Sequence, residues 1–293
     1  MRTTSLTIAV LGLFAAAACA DGGGGGADRV HDDSVTASAG ADDRAPSTGL
    51  SETSTPKPDR PPVLGYEVVA RYPHDKRAYT QGLVIVDGQL YESTGRHGES
   101  SVRLVELETG KVLKRRDVDI EYFGEGLASV GGLLYQITWK EQKVLLYDRA
   151  TLRPLSYTYS YKGQGWGLTT SPDGQLVMSD GTDELRFIEP KGFKETRRLK
   201  VTNAGRPLRE INELEWIEGE IWANVWKSER IARIDPETGE VTAWVDLSKI
   251  LGSYRVESKI EDVLNGIAYD ADTGKIYVTG KRWPYLFEIR VTE

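Results

Sequence analysis

Phe123-Gly124-Glu125-Gly126-Leu127, followed across a Gly131-Gly132 turn by Leu133-Leu134-Tyr135-Gln136-Ile137-Thr138, is the unit from which the fold is read. Its opening recurs as Gln81-Gly82-Leu83, Trp166-Gly167-Leu168, Asn212-Glu213-Leu214 and Asn265-Gly266-Ile267. Successive copies lie 41 to 53 residues apart, the period of a four-stranded propeller blade. Turn signals Asp87-Gly88, Asp173-Gly174, Glu218-Gly219 and Thr273-Gly274 separate the other openings from their second strands. Those strands mix β-branched, aromatic and apolar residues, as in Lys275-Ile276-Tyr277-Val278-Thr279. A third strand follows in every copy and a fourth in four of them. The fifth copy stops after Tyr285–Val291, and the segment Tyr66–Tyr72 is the strand that completes it. The expectation is an all-β, five-bladed β-propeller whose last blade is closed by an N-terminal strand, so that no strand edge is left open. Only Ser248–Leu251 reads as a short helical turn.

Outside the repeats the chain changes character. Residues 1–19 carry an early Arg2, the apolar run Leu6–Phe14 and a small-residue stretch ending at Cys19. This is an export signal, too short to span a bilayer. Cys19 directly after the alanines reads as the lipidated cysteine of a bacterial lipoprotein. The alternative is ordinary cleavage near Ala18 or Ala20, because Ala16 stands where such signals carry leucine. Residues 20–62 include Gly22–Gly26 and much Ser, Thr, Asp and Pro; they read as a disordered tether. Residues 63–293 form the propeller domain. The protein is expected outside the cytoplasm, in the periplasm or on the cell envelope, or secreted. Cys19 is the only cysteine, so no disulfide holds the domain. A closed ring without free edges suggests a monomer. The net charge of −7 argues against nucleic acid as a partner.

The repeat also locates a site. In a propeller the first strands line the central channel, and glycine in the opening lets them converge. The residue before that glycine then sits at one mouth: Gln81, Glu125, Trp166, Asn212 and Asn265. The second strands return to the same face at Trp139, Asp180, Trp226 and Lys281. A carboxyl group among indoles loses solvation, which raises its pKa toward operating pH. Glu125 is therefore the candidate proton shuttle. Lys281, Asn212 and Gln81 can stabilise an oxyanion, and Trp139, Trp166 and Trp226 can exclude water. With only His74 and His97 in the domain there is no histidine set for zinc and no nucleophilic triad. Neither a metal nor a cofactor is expected. The bland readings are a structural Glu125–Lys281 ion pair, amides that satisfy strand-end backbone at Gln81, Asn212 and Asn265, and loop positions for both histidines. Trp216, Trp222 and Trp244 are expected between blades.

Tyr79-Thr80-Gln81-Gly82-Leu83, Phe123-Gly124-Glu125-Gly126-Leu127, Gly165-Trp166-Gly167-Leu168, Asn212-Glu213-Leu214-Glu215, Leu264-Asn265-Gly266-Ile267 and Gly280-Lys281-Arg282-Trp283-Pro284 resemble the motifs of plant-type glutaminyl-peptide cyclotransferases, a family with bacterial members. The resemblance covers the whole domain. It implies conversion of N-terminal glutamine of peptides or proteins to pyroglutamate with loss of ammonia, without a catalytic zinc. By position, Glu125 corresponds to the family's essential acid. Gln81, Asn212 and Lys281 correspond to its polar pocket residues, and Trp139, Trp166 and Trp226 to its pocket tryptophans. Tyr79 departs from the phenylalanine common there. The rival readings are a non-catalytic propeller that binds partners on the envelope and a metal-dependent lactonase-like propeller.

Overall fold

A computed structural model describes residues 60–293. The export signal, Cys19 and nearly all of the tether lie outside the described residues. Within them every regular element is a strand. The chain opens with β1 (Val63–Pro73). It then runs through β2 (Thr80–Val86), β3 (Gln89–Thr94), β4 (Ser101–Val105) and β5 (Val112–Asp117), an antiparallel sheet in sequence order. A second such sheet contains β6 (Gly124–Val130), β7 (Leu133–Thr138), β8 (Lys143–Asp148) and β9 (Tyr159–Ser160). A third contains β10 (Leu168–Thr170), β11 (Leu176–Met178), β12 (Glu184–Glu189) and β13 (Lys194–Lys200). A small hairpin, β14 (Thr202–Asn203) and β15 (Arg206–Pro207), leads to β16 (Ile211–Ile217), β17 (Glu220–Val225), β18 (Arg230–Ile234) and β19 (Val241–Asp246). The last strands are β20 (Leu264–Asp270), β21 (Lys275–Gly280) and β22 (Tyr285–Thr292).

The N-terminal strand does more than the sequence suggested. β1 pairs antiparallel with β22 from Gly65–Thr292 to Pro73–Tyr285. It also pairs parallel with β19 at Val63–Trp244 and Leu64–Val245. That second contact merges two four-stranded sets into one eight-stranded sheet of order β16-β17-β18-β19-β1-β22-β21-β20. The hairpins form where turn chemistry placed them. Asp87 and Gly88 both take positive φ, at 51° and 68°, in the two-residue loop between Val86 and Gln89. Ser248–Leu251 forms hydrogen-bonded turns rather than a helix.

The five innermost strands β2, β6, β10, β16 and β20 touch one another in a closed cycle. A Cβ on Gly82 would stand 2.5 Å from the Leu127 nitrogen, and one on Gly126 2.5 Å from the Leu168 nitrogen. At Gly167 the clash would be with the Asn212 carbonyl. The fourth copy carries Glu213 in place of glycine. Its buried carboxyl group accepts from the Leu83 amide at 3.2 Å and the Ile267 amide at 2.9 Å, so it pins two neighbouring inner strands. Apolar side chains fill the spaces between sheets. Ile137, Leu168 and Met178 join the second sheet to the third, and Val177, Leu185, Ile221 and Ala223 join the third to the fourth. Burying such a leucine or isoleucine stabilises the fold by about 1.5–3 kcal/mol. Trp222 is buried in the core beside Ile231, Val245 and Ile267, and Trp216 and Trp244 pack against the apolar layer between the third and fourth sets.

Candidate active site

Four of the five openings are points of irregular pairing, whereas β10 pairs with β11 in regular register. The register of β2 with β3 slips between Thr80 and Gly82, that of β6 with β7 between Gly124 and Leu127, that of β16 with β17 between Ile211 and Leu214, and that of β20 with β21 between Leu264 and Ile267. Such bulges re-aim side chains out of the alternating pleat. Here they free Gln81, Glu125 and Asn212 from strand pairing and turn them to one cavity. Its volume is about 330 Å³, and Tyr79, Gln81, Glu125, Trp139, Trp166, Asn212, Trp226 and Lys281 all line it. The eight residues given catalytic or substrate-binding roles from the sequence therefore meet in one place. Asn265 does not line the cavity. Its amide nitrogen donates to the Thr80 carbonyl at 2.9 Å and to Gln81 Oε1 at 3.2 Å, so it orients Gln81 from behind.

Glu125 is 4% exposed and its carboxyl group has no hydrogen bond among those of the described residues. Burial pushes its pKa well above the usual carboxylate range; the Lys281 charge offsets part of this and Glu141 adds to it. Lys281 is 3% exposed, and burial pulls its ammonium down to about 8 against the favourable charge of Glu125. No Glu125–Lys281 salt bridge occurs among the ion pairs of the described residues. The two are coupled through the cavity rather than locked together, which is not the structural ion pair of the bland reading.

The polar floor has unspent capacity. Asn212 Oδ1 is buried without a partner. Buried polar atoms are ordinarily paired, so an orphan lining a cavity marks a place for a ligand donor. Gln81 Oε1 is occupied by Asn265, which leaves its Nε2 as the donor available to a ligand. The walls form an aromatic belt: Tyr79 to Phe123 at 6.2 Å, Phe123 to Trp139 at 5.6 Å, and Trp166 to Trp226 at 5.8 Å between ring centroids. Lys281 Nζ stands 4.9 Å from the Tyr79 ring centroid, and the Arg96 guanidinium stands 5.3 Å from it. Burial raises the pKa of the Tyr79 hydroxyl, with Glu261 and Glu125 adding to the effect.

Three cavity residues were not singled out beforehand: Arg96, Phe123 and Glu261. Arg96 stands one place beyond Gly95, the counterpart of Trp139, Trp226 and Lys281 at the end of a second strand; its own counterparts are Lys140, Lys227 and Arg282, and it shares a positive φ with the last two. Glu261 comes from the long segment between β19 and β20, which has no counterpart in the other copies. It bonds Arg282 at 2.9 Å and Arg96 at 3.5 Å across the mouth. Asp180 closes a turn with Thr182 instead of entering the cavity. His74 is not a plain loop residue. Its ring contacts Glu92 at 2.9 Å and the Trp283 carbonyl at 2.7 Å. Among the described residues no cluster of three His, Cys, Asp or Glu side chains is arranged to hold a metal ion.

Fold and cavity together define an all-β protein with an aromatic-walled acid–base cup where its innermost strands meet. A family described as glutamine cyclotransferase matches residues 44–291. The chain is 44% identical over 230 residues to the glutaminyl-peptide cyclotransferase of Arabidopsis thaliana, covering 78% of this chain and 71% of that protein. It superposes on the crystal structure of the Myxococcus xanthus glutaminyl cyclase with a TM-score of 0.72 at 38% identity, covering 79% of this chain and 98% of that one. The chain belongs to the glutamine cyclotransferase family.

Proposed function

We propose that this protein is a glutaminyl-peptide cyclotransferase, which converts N-terminal glutamine of peptides or proteins to pyroglutamate with release of ammonia. The observation that carries the reading is Glu125: a buried carboxyl group without a hydrogen bond, facing a cavity walled by three tryptophans, in a chain 44% identical to a protein of that name. We read the closed cycle of inner strands as a five-bladed propeller with β1 completing the last blade.

The neutral α-amine attacks the γ-carboxamide carbon of its own side chain. A C–N bond forms, and Glu125 takes the proton that the amine loses. Glu125 then returns that proton to the γ-nitrogen, the old C–N bond breaks and ammonia leaves. Its raised pKa suits both halves of the transfer. The Lys281 ammonium and Gln81 Nε2 stabilise the oxyanion of the tetrahedral intermediate. Asn212 Oδ1, the unpaired acceptor, takes a hydrogen bond from a substrate N–H. The aromatic belt holds the flexible side chain in ring-closing geometry and keeps water away, so cyclisation outruns hydrolysis.

No step in this scheme needs zinc. The reaction is an acyl transfer, and His74, the one histidine among the described residues with a buried side chain, is committed to Glu92. The export signal and Cys19 support a periplasmic or envelope location with a lipid tether, and the closed ring supports a monomer. Incubation with a peptide that begins with glutamine tests the activity. Mass loss of one ammonia that persists in the presence of chelator is expected; an unchanged peptide would contradict it and favour a binding module.

A further inference from the structure

We infer that Gln164, which nothing in the repeat pattern distinguishes, is the positioning residue that clasps the aromatic wall of the cup. Its Oε1 accepts from Trp139 Nε1 at 2.7 Å and from Trp166 Nε1 at 3.1 Å. The two indoles come from different sheets, one following β7 and the other preceding β10, and both line the cavity. A single carbonyl oxygen with two lone pairs therefore ties neighbouring walls together. The rest of the segment fixes where Gln164 stands. The Gly165 amide donates to the Trp139 carbonyl at 3.0 Å, and the Trp166 amide to the Ser179 carbonyl at 2.9 Å. A Cβ at Gly165 would collide with the Tyr161 hydroxyl, which itself donates to the Thr138 carbonyl beside Trp139. Beyond the clasp, Phe123 packs on Trp139 and Trp226 packs on Trp166. Releasing the clasp lets both halves of the belt turn.

This inference rests on the proposed cyclotransferase reading for its kinetic consequence but not for its structural one. Gln164 is exposed, so its substitution removes an acceptor and buries nothing. Gln164→Leu is expected to raise KM about tenfold, two modest hydrogen bonds' worth, and to leave kcat within about twofold. Gln164→Glu keeps an acceptor at the same reach and is expected to restore KM to within about threefold of wild type. Acrylamide quenching of tryptophan fluorescence, measured on the same proteins without substrate, is expected to increase in Gln164→Leu and not in Gln164→Glu. Wild-type KM and quenching in Gln164→Leu would overturn the inference, as would equal impairment by Glu and Leu. A KM change without a quenching change would assign Gln164 a direct substrate contact and overturn the clasp as well. If wild type cyclises no glutamine peptide, the functional reading fails while the quenching comparison still decides the clasp.

Discussion

Two buried acids on adjacent sheets have opposite fates. Glu92 on β3 and Glu125 on β6 are 2% and 4% exposed. Burial alone would raise both. Glu92 is met by His74 at 2.9 Å, by the Thr80 hydroxyl at 2.8 Å and by Arg103 at 3.7 Å, and its pKa ends below the usual range despite burial. The Glu125 carboxyl group faces the cavity with no hydrogen bond or salt bridge among the described residues; the Lys281 charge offsets burial only in part and Glu141 adds to it, and its pKa ends well above. The Glu92 cluster also holds the chain ends together, because His74 bonds the Trp283 carbonyl and its backbone amide donates to the Pro284 carbonyl. Desolvation that is compensated builds a fold, whereas desolvation left uncompensated stores reactivity.

The comparison breaks first at Glu125. Glu125→Gln should lower kcat by about 10³-fold or more, the scale of a lost proton shuttle. Its melting temperature should equal or exceed that of wild type, since no partner is lost. A parallel loss of stability and activity would make Glu125 structural. The reverse pattern is expected next door. Glu92→Gln should cost about 3–5 kcal/mol in denaturant unfolding, because it strands the buried His74 charge, while Arg103 keeps Asp75 at 3.0 Å. The folded fraction should retain kcat.

The pH dependence sharpens the contrast. Lys281 titrates at about 8, so its ammonium is present below that pH and is lost as pH rises through it. The kcat/KM profile should fall on its alkaline side near 8. Lys281→Arg should move that limb upward, because guanidinium keeps its charge. An unmoved limb would take Lys281 out of oxyanion stabilisation. The smallest effect belongs to His74. Burial lowers its pKa, but the Glu92 charge and hydrogen bond and the Trp283 carbonyl outweigh this, so it lies above the ordinary 6.5. The stability it contributes is fully present below 6.5 and is lost as pH rises through the folded value. Unfolding free energy measured across that range should slope downward in wild type and lose the slope in His74→Gln.

Much of this was legible in the chain because the repeat is a geometric statement. The repeated openings, four of which carry a bulge, and the exits of the second strands marked the same face, which placed Glu125, Lys281 and three tryptophans together. Arg96 was missed because the first copy carries Gly95 at the site-facing exit position, and the side chain that reaches the cavity comes one residue later. Glu261 and Gln164 lie in connecting segments whose course depends on packing rather than period. The parallel pairing of β1 with β19 was hidden because two residues at a strand end carry no alternation signal. His74 gave no sign of its role, because its partners are set by how the end of β1 meets the turn between β21 and β22.

Difference carbon NMR of wild type and Glu125→Gln, both labelled at glutamate side-chain carboxyls and titrated with pH, tests the central contrast most directly. The account predicts that the variant loses one resonance, and that this resonance titrates well above the ordinary carboxylate range in wild type. A lost resonance that titrates at or below the ordinary value of 4.5 would mean that Glu125 is as compensated as Glu92, and would contradict the account.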